Sequence, residues 1–385
     1  MAERFPIRAV LLFCLLVVLP GFARAAGKPA SPANTQAGTW TALGSGLNGS
    51  VNDLAVLGTR LIAGGSFTQA GGLPAYSIAA WDGTSWSPFG SGLKLGIYNA
   101  TVNAIAAHNG QLVAVGQFTE AGGVAVQNVA LWDGTSWSAL GAGLKGDASG
   151  VASFDGKIFA ARTQAFPPYG VQQAYIEWWN GSAGLWYSSG TFGPPQGSDW
   201  IRVNALDAIG DRLYMGSYAT SVPGSSFAYN GTTWQYIGQA SYNLYAYEQF
   251  GGELFAGGAG ALVEKYTPPS TWTSLDPAWV PECGFVFDMQ LHNGALIAGG
   301  RFTAGCMPNP NVVAWDGSSW SGLGAGMNGD VKALTEFNSH LIAGGNFTAA
   351  DGSPAARIAQ WNESPVATRK TTLGAVKALF SGTQR

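Results

Sequence analysis

The sequence predicts an all-β chain, a seven-bladed β-propeller with four antiparallel strands per blade. Three observations carry that expectation. A single unit recurs: Ala63-Gly64-Gly65-Ser66-Phe67-Thr68, a loop, then Ile78-Ala79-Ala80-Trp81-Asp82-Gly83-Thr84-Ser85-Trp86. Its second half returns at Leu131 to Trp137 and at Ala314 to Trp320. The apolar run before the glycines restarts at Leu61, Leu112, Ile158, Leu213, Leu254, Leu296 and Leu341, spacings of 41 to 55 residues that suit propeller blades. Finally, a lone outer strand, Trp40 to Gly44, opens the series, and the last unit stops at its third strand, Ile358 to Trp361. The first strand is therefore expected to complete the seventh blade, a closure that shields sheet edges.

Within the first unit the expected strands are Val51 to Val56, Leu61 to Phe67, Ser77 to Trp81 and Trp86 to Phe89. The first connection carries hairpin chemistry in most units, as in His108-Asn109-Gly110, Asp155-Gly156 and His292-Asn293-Gly294. Asn and Gly tolerate the positive φ of such turns. The third connection uses Asp82-Gly83, Asp133-Gly134, Asn180-Gly181, Asn230-Gly231 and Asp316-Gly317. A four-residue turn there sets Trp81 opposite Trp86, a stabilising cross-strand pair. The glycine pairs that end the second strand, such as Gly64-Gly65 and Gly299-Gly300, read as places where neighbouring blades crowd the backbone.

The four expected segments are a signal peptide over 1–25, a linker over 26–38, the propeller over 39–361 and a tail over 362–385. Arg4 and Arg8 precede an apolar run from Ala9 to Leu19, and Ala23-Arg24-Ala25 supplies small residues for cleavage. Beyond it, no run reaches the length of about 20 apolar residues a membrane helix needs. Removing the leader leaves 16 basic and 21 acidic residues, a net charge of about −5 with no basic stripe for nucleic acid. Charged residues make up only 11% of the chain, so Gly, Ser, Thr, Asn and Gln carry its polarity, and 15 Trp with 19 Phe exclude disorder. The expectation is a secreted or cell-surface monomer with a neutral, polar, aromatic-flecked surface. In the tail, Thr372 to Phe380 suffices for one or two amphipathic turns.

The Gly-Gly ending of the second strand, with an aromatic pair downstream, resembles kelch repeats and the galactose-oxidase central-domain superfamily. The phrase Gly64 to Gly72, nearly repeated at Gly344 to Gly352, looks closer to Rax2-type cell-surface repeats and related bacterial exported propellers. The likeness covers residues 39–361 and implies a propeller architecture. It departs from kelch in the five-residue spacing of the aromatics and in Ala160-Ala161-Arg162, where Gly-Gly is expected. The Asp-Gly-Thr-Ser-Trp hairpin is one residue shorter than the Asp-box of sialidases and reads as a shared hairpin solution. The copper chemistry of galactose oxidase has no matching ligands here.

Chemistry is sparse. His108, His292 and His340 all fall in first-connection turns, so neither a histidine metal site nor a Ser-His-Asp arrangement is expected, and no cofactor. Asp53 and Asp288 share one repeat position on the innermost strand, where the blades starting at Leu112, Leu213, Leu254 and Leu341 have alanine. A glycosidase needs two carboxylates about 5–9 Å apart. The plainer reading is that each bonds nearby backbone amides. Cys283 and Cys306 flank the first two strands of one blade on a common face and are expected to pair in an oxidising compartment. Phe166, Tyr169, Phe192, Trp200, Tyr242 and Trp279 group on irregular loops of the third to sixth blades and form the candidate binding surface. Asn48, Asn99, Asn180, Asn230, Asn346 and Asn362 head glycosylation sequons.

The expected function is that of a non-enzymatic recognition scaffold for a glycan or an extracellular protein. The alternatives are a carbohydrate-active enzyme with carboxylates at the channel mouth and a purely structural surface or matrix protein.

Overall fold

The computed structural model describes residues 37–166, 171–192, 201–219, 224–260, 263–275, 283–304, 306–307 and 309–364. The leader, most of the linker and the tail beyond residue 364 lie outside them. Among the described residues there is no α-helix, and the strands are antiparallel throughout the sheets. Among the described residues, seven of the eight four-stranded sheets follow one another along the chain in simple up-and-down order. Sheet 1 is Ser50–Leu57, Arg60–Ser66, Ile78–Trp81 and Trp86–Pro88. The first strands of sheets 2 to 7 are Thr101–His108, Asp147–Phe154, Ile201–Ile209, Leu244–Phe250, Gly284–His292 and Val331–Phe337. Sheet 7 takes its outer strand from the other end of the chain: Gly38–Ala42 pairs with Ile358–Glu363, setting Trp40 opposite Trp361.

The local reading of the repeat explains these sheets. Trp81 stands opposite Trp86 with ring centroids 5.4 Å apart, and Trp132–Trp137, Trp179–Trp186 and Trp315–Trp320 repeat the pair. The Asp82 carboxylate closes the turn between them: Oδ1 accepts from the amides of Thr84 and Ser85, each at 2.8 Å. Asp133 and Asp316 do the same, and Asn230 substitutes its amide oxygen. These bonds hold the Asp82, Asp133 and Asp316 carboxyls below their ordinary pKa.

The first strands of successive sheets pack side by side, and that of sheet 7 packs against that of sheet 1. In sheets 1, 4, 5, 6 and 7 a glycine near the end of the second strand makes room for this. A Cβ at Gly64 would sit 2.6 Å from Cγ1 of Val102 in sheet 2, and one at Gly344 would sit 2.6 Å from Cγ1 of Val51 in sheet 1. Apolar clusters fill the junctions, among them Val51, Leu54, Leu61, Trp81 and Trp86 with Phe337 and Ile342 of sheet 7. One feature lies outside the repeat. Leu93–Leu95, Tyr98–Asn99, Glu120–Ala121 and Val124–Ala125 form a small separate sheet where loops were expected.

Candidate functional site

Every first strand carries a bulge near its start, seen as register shifts at Val51/Asp53, Val102/Ala104, Ala148/Gly150, Val203/Ala205, Leu244/Ala246, Val286/Asp288 and Val331/Ala333. A bulge re-aims side chains and breaks the ladder. Here it turns polar groups toward the next sheet. Asn52 Nδ2 donates to the Val102 carbonyl at 2.9 Å, Asn103 Nδ2 to Ala148 at 2.8 Å, and Ser149 Oγ to Val203 at 2.8 Å. Lys332 Nζ reaches Ser50 Oγ and Asn52 Oδ1 of sheet 1, both at 3.1 Å.

Asp53 and Asp288 occupy the residue just after the bulge and behave alike. Asp53 accepts the Leu54 amide at 2.7 Å and the Ile105 amide of sheet 2 at 2.7 Å. Asp288 accepts the Met289 amide at 2.8 Å and the Leu334 amide of sheet 7 at 2.6 Å. Both oxygens of each carboxylate are thus engaged by backbone, within a strand and across a junction. Two further carboxylates escaped sequence reading. Asp207 accepts the Tyr247 amide of sheet 5 at 3.1 Å, and Glu248 accepts the Gln249 amide at 2.8 Å and the Leu291 amide of sheet 6 at 3.3 Å. Each lies two residues beyond the position of Asp53, where Ala205 and Ala246 stand. Strand residues two apart share a face, and that parity was the signal available.

These carboxylates are half-buried. Burial outweighs the amide bonds and raises Asp53 and Asp207 to about 7. Burial likewise pushes Asp288 and Glu248 above the ordinary carboxylate range. Asp288 also feels the charges of Asp53 and Asp207, and Asp207 that of Asp53, each raising it further. Among the described residues no three His, Cys, Asp or Glu side chains group as metal ligands.

The other expected residues are placed as follows. Cys283 and Cys306 form a disulfide with Cα atoms 5.4 Å apart. Phe166 and Phe192 end the strands Lys157–Phe166 and Leu185–Phe192, and their side chains lie outside the described residues. Tyr169, Trp200 and Trp279 lie outside them altogether. Tyr242 is half-buried just before sheet 5, next to Ser241, whose amide and hydroxyl donate to the buried Glu264. Arg162, at the exceptional Ala160-Ala161-Arg162, forks onto Glu177 with nitrogen–oxygen distances of 3.0 and 2.8 Å. Of the turn histidines, His108 bonds Ser153 and His340 the Trp361 carbonyl, while His292 meets carboxylates. His292 is buried, with Nδ1 2.8 Å from Glu336 and Nε2 3.6 Å from Glu363, linking sheets 6 and 7.

No family model matches the chain, and no curated protein sequence does. Solved structures do. The WD40 β-propeller domain of Doa1 superposes with a TM-score of 0.54 at 12% identity, over 86% of this chain and 98% of that one. The computationally designed protein Ika8 gives a TM-score of 0.51 at 12% identity, over 85% of this chain and 100% of that one. At such identity the likeness concerns fold alone, and with the antiparallel four-stranded sheets it establishes a β-propeller.

Proposed function

We propose that this chain is a closed seven-bladed β-propeller, exported to the cell surface or beyond, that acts as a non-enzymatic recognition scaffold for a glycan or an extracellular protein. Closure is supported by side-chain bridges at all seven sheet junctions, the one from sheet 7 to sheet 1 being Lys332 to Ser50 and Asn52. Kinship with kelch-like, galactose-oxidase central-domain and Rax2-type propellers rests on the Gly-Gly ends and the phrase Gly64 to Gly72. Export rests on the leader-like segment 1–25.

The observation that carries the non-enzymatic reading is the engagement of Asp53 and Asp288: with both oxygens accepting amides, neither is aimed at a substrate. Recognition then falls to the irregular links of sheets 3 to 6 on a rigid frame, the surface of Phe166, Tyr169, Phe192, Trp200, Tyr242 and Trp279. One observation favours the alternative, a carbohydrate-active enzyme. Asp207 accepts a single amide and is raised to about 7, as a general acid must be.

A glycan-array and whole-cell binding screen of the chain from Ala26 to Arg385 tests the proposal. A specific ligand whose binding falls in Trp200→Ala and Trp279→Ala is the expected result. Turnover of a glycan substrate that is abolished by Asp207→Asn overturns it in favour of the enzyme.

A further inference from the structure

The turn side of sheets 4 and 5 breaks the regularity of the repeat. At the third residue of the second strand, six sheets bury Ile62, Val113, Phe159, Phe255, Ile297 and Ile342 to 2% exposure or less. In sheet 4 the equivalent residue is Tyr214, and it is half-buried. One position earlier, Leu61, Leu112, Ile158, Leu213, Leu296 and Leu341 are at most 3% exposed, whereas Leu254 of sheet 5 is half-buried. Both departures open on the same cleft of about 460 Å³ between the two sheets. That volume lies in the range of small-molecule sites, about 300–1,000 Å³.

The cleft has an aromatic floor. Tyr214 packs on Tyr247 at 5.6 Å between ring centroids, Tyr247 on Trp272 at 6.1 Å, and Trp272 on Tyr266 at 5.1 Å. Tyr214 and Tyr266 line the cavity itself, and Tyr266 is fixed by its hydroxyl, which donates to the Pro269 carbonyl at 2.6 Å. Around the floor stand Asp211, Gln249, Glu253 and Lys265, with Lys265 Nζ 2.8 Å from Glu253. Carboxylates beside the ammonium disfavour an anion, and the charged rim disfavours a wholly apolar guest. A ring with C–H groups on one face and hydroxyls at its edge satisfies both surfaces: aromatic planes take the first, and the acid, amide and ammonium take the second.

We propose that this cleft binds a neutral oligosaccharide, one sugar ring lying on Tyr214 and Tyr266 with its hydroxyls held by Gln249, Glu253 and Lys265. The proposal rests on the recognition reading above and names a second site for it, on the turn side of sheets 4 and 5.

The test is a fluorescence titration of the chain from Ala26 to Arg385 with cellotriose, maltotriose and N,N′,N″-triacetylchitotriose, Trp272 under Tyr266 being the reporter. Saturable quenching or enhancement by at least one of the three is expected. Glu253→Gln should weaken it at least tenfold, and Tyr214→Ile should abolish it while the circular dichroism spectrum is unchanged, because isoleucine is the residue this position carries in sheets 1, 6 and 7. No response to any trisaccharide, or equal affinity in both variants, overturns the proposal. A glycan-array hit that Glu253→Gln and Tyr214→Ile leave intact would sink this site while the recognition function stands. A blank array together with silent titrations removes both.

Discussion

The proposed closure of the ring makes a sharp demand on one pair of residues almost three hundred positions apart. A Cβ added at Gly344 in sheet 7 meets Cγ1 of Val51 in sheet 1 at 2.6 Å. Ordinary carbon contacts lie at about 3.5–4.0 Å, so the overlap is close to 1 Å. Gly344→Ala should cost about 1–3 kcal/mol, the usual range for overpacking a tight core. Val51 is fully buried, and Val51→Ala removes two methyl-sized groups, at about 2 kcal/mol with the cavity they leave. In the double variant the smaller side chain receives the new methyl group, so the cost should fall short of the sum by about 1–2 kcal/mol. Gly64→Ala with Val102→Ala is the matched control, because it has the same 2.6 Å approach between sheets that are consecutive in sequence. The assay is urea denaturation followed by tryptophan fluorescence on all single and double variants. Coupling in the control but additivity within about 0.5 kcal/mol at Gly344/Val51 would falsify closure.

Stability should also respond to pH in an unusual direction. Asp53 and Asp207 titrate at about 7 when folded, well above the 3.8 of a free carboxylate, so the folded state holds protons the unfolded chain has released. Their contribution is full below about pH 4 and is lost as the pH rises through 7. Each raised group corresponds to about 4 kcal/mol if fully desolvated and nearer 2 kcal/mol when half-buried. The melting temperature should therefore fall between pH 5 and pH 8, and Asp53→Asn with Asp207→Asn should flatten the slope; a rise over that window refutes the burial argument. The exposed turn acids act oppositely, since their lowered pKa values remove stability only as the pH falls toward 2. The Cys283–Cys306 bridge spans a sequence separation of 23. Its replacement by Ser at both positions should cost about 3 kcal/mol of unfolding free energy by urea denaturation, and reducing conditions should take nothing further from that variant.

What the sequence displayed, it displayed through local and periodic signals. Trp81 faces Trp86 because five-residue spacing around an Asp-Gly turn allows little else. Gly64 precedes Gly65 because a neighbouring valine leaves no room for a Cβ, and the repetition of that pair made the crowding visible. The pairing of Gly38–Ala42 with Ile358–Glu363 was readable from which strand each end lacked. Relations between sheets were not readable in the same way. Trp86, Trp186, Trp272 and Trp40 each donate an indole N–H to the carbonyl of Leu43, Leu140, Ile237 and Leu323 on the preceding sheet's outer end, and no spacing announces that. The small sheet around Leu93–Leu95 was hidden by strands only two or three residues long.

The bridges between first strands show why the candidate site was harder still to see. The bulge fixes where the next sheet's amides and carbonyls stand, so any side chain of suitable reach completes the link: Asn at sheets 1 and 2, Ser at sheet 3, Asp or Glu at sheets 4, 5 and 6, Lys at sheet 7. Links made by changing chemistry from different positions along the strand leave no repeat signal. The links are also unequal. Asp53 and Asp288 reach across their junctions to amides at 2.7 and 2.6 Å, whereas the links from Asp207 and Glu248 are longer, 3.1 and 3.3 Å, and at the junction of sheets 4 and 5 the Tyr247 hydroxyl adds a bond to the Met215 carbonyl at 3.0 Å. At that same junction Tyr214 and Leu254 lose the burial their counterparts keep, and the cleft opens. A closely packed ring admits a guest most readily where its own contacts are weakest, since the guest there displaces water rather than well-packed side chains. The junction of sheets 4 and 5, where the outer packing loosens, is thus the place the proposed sugar site occupies.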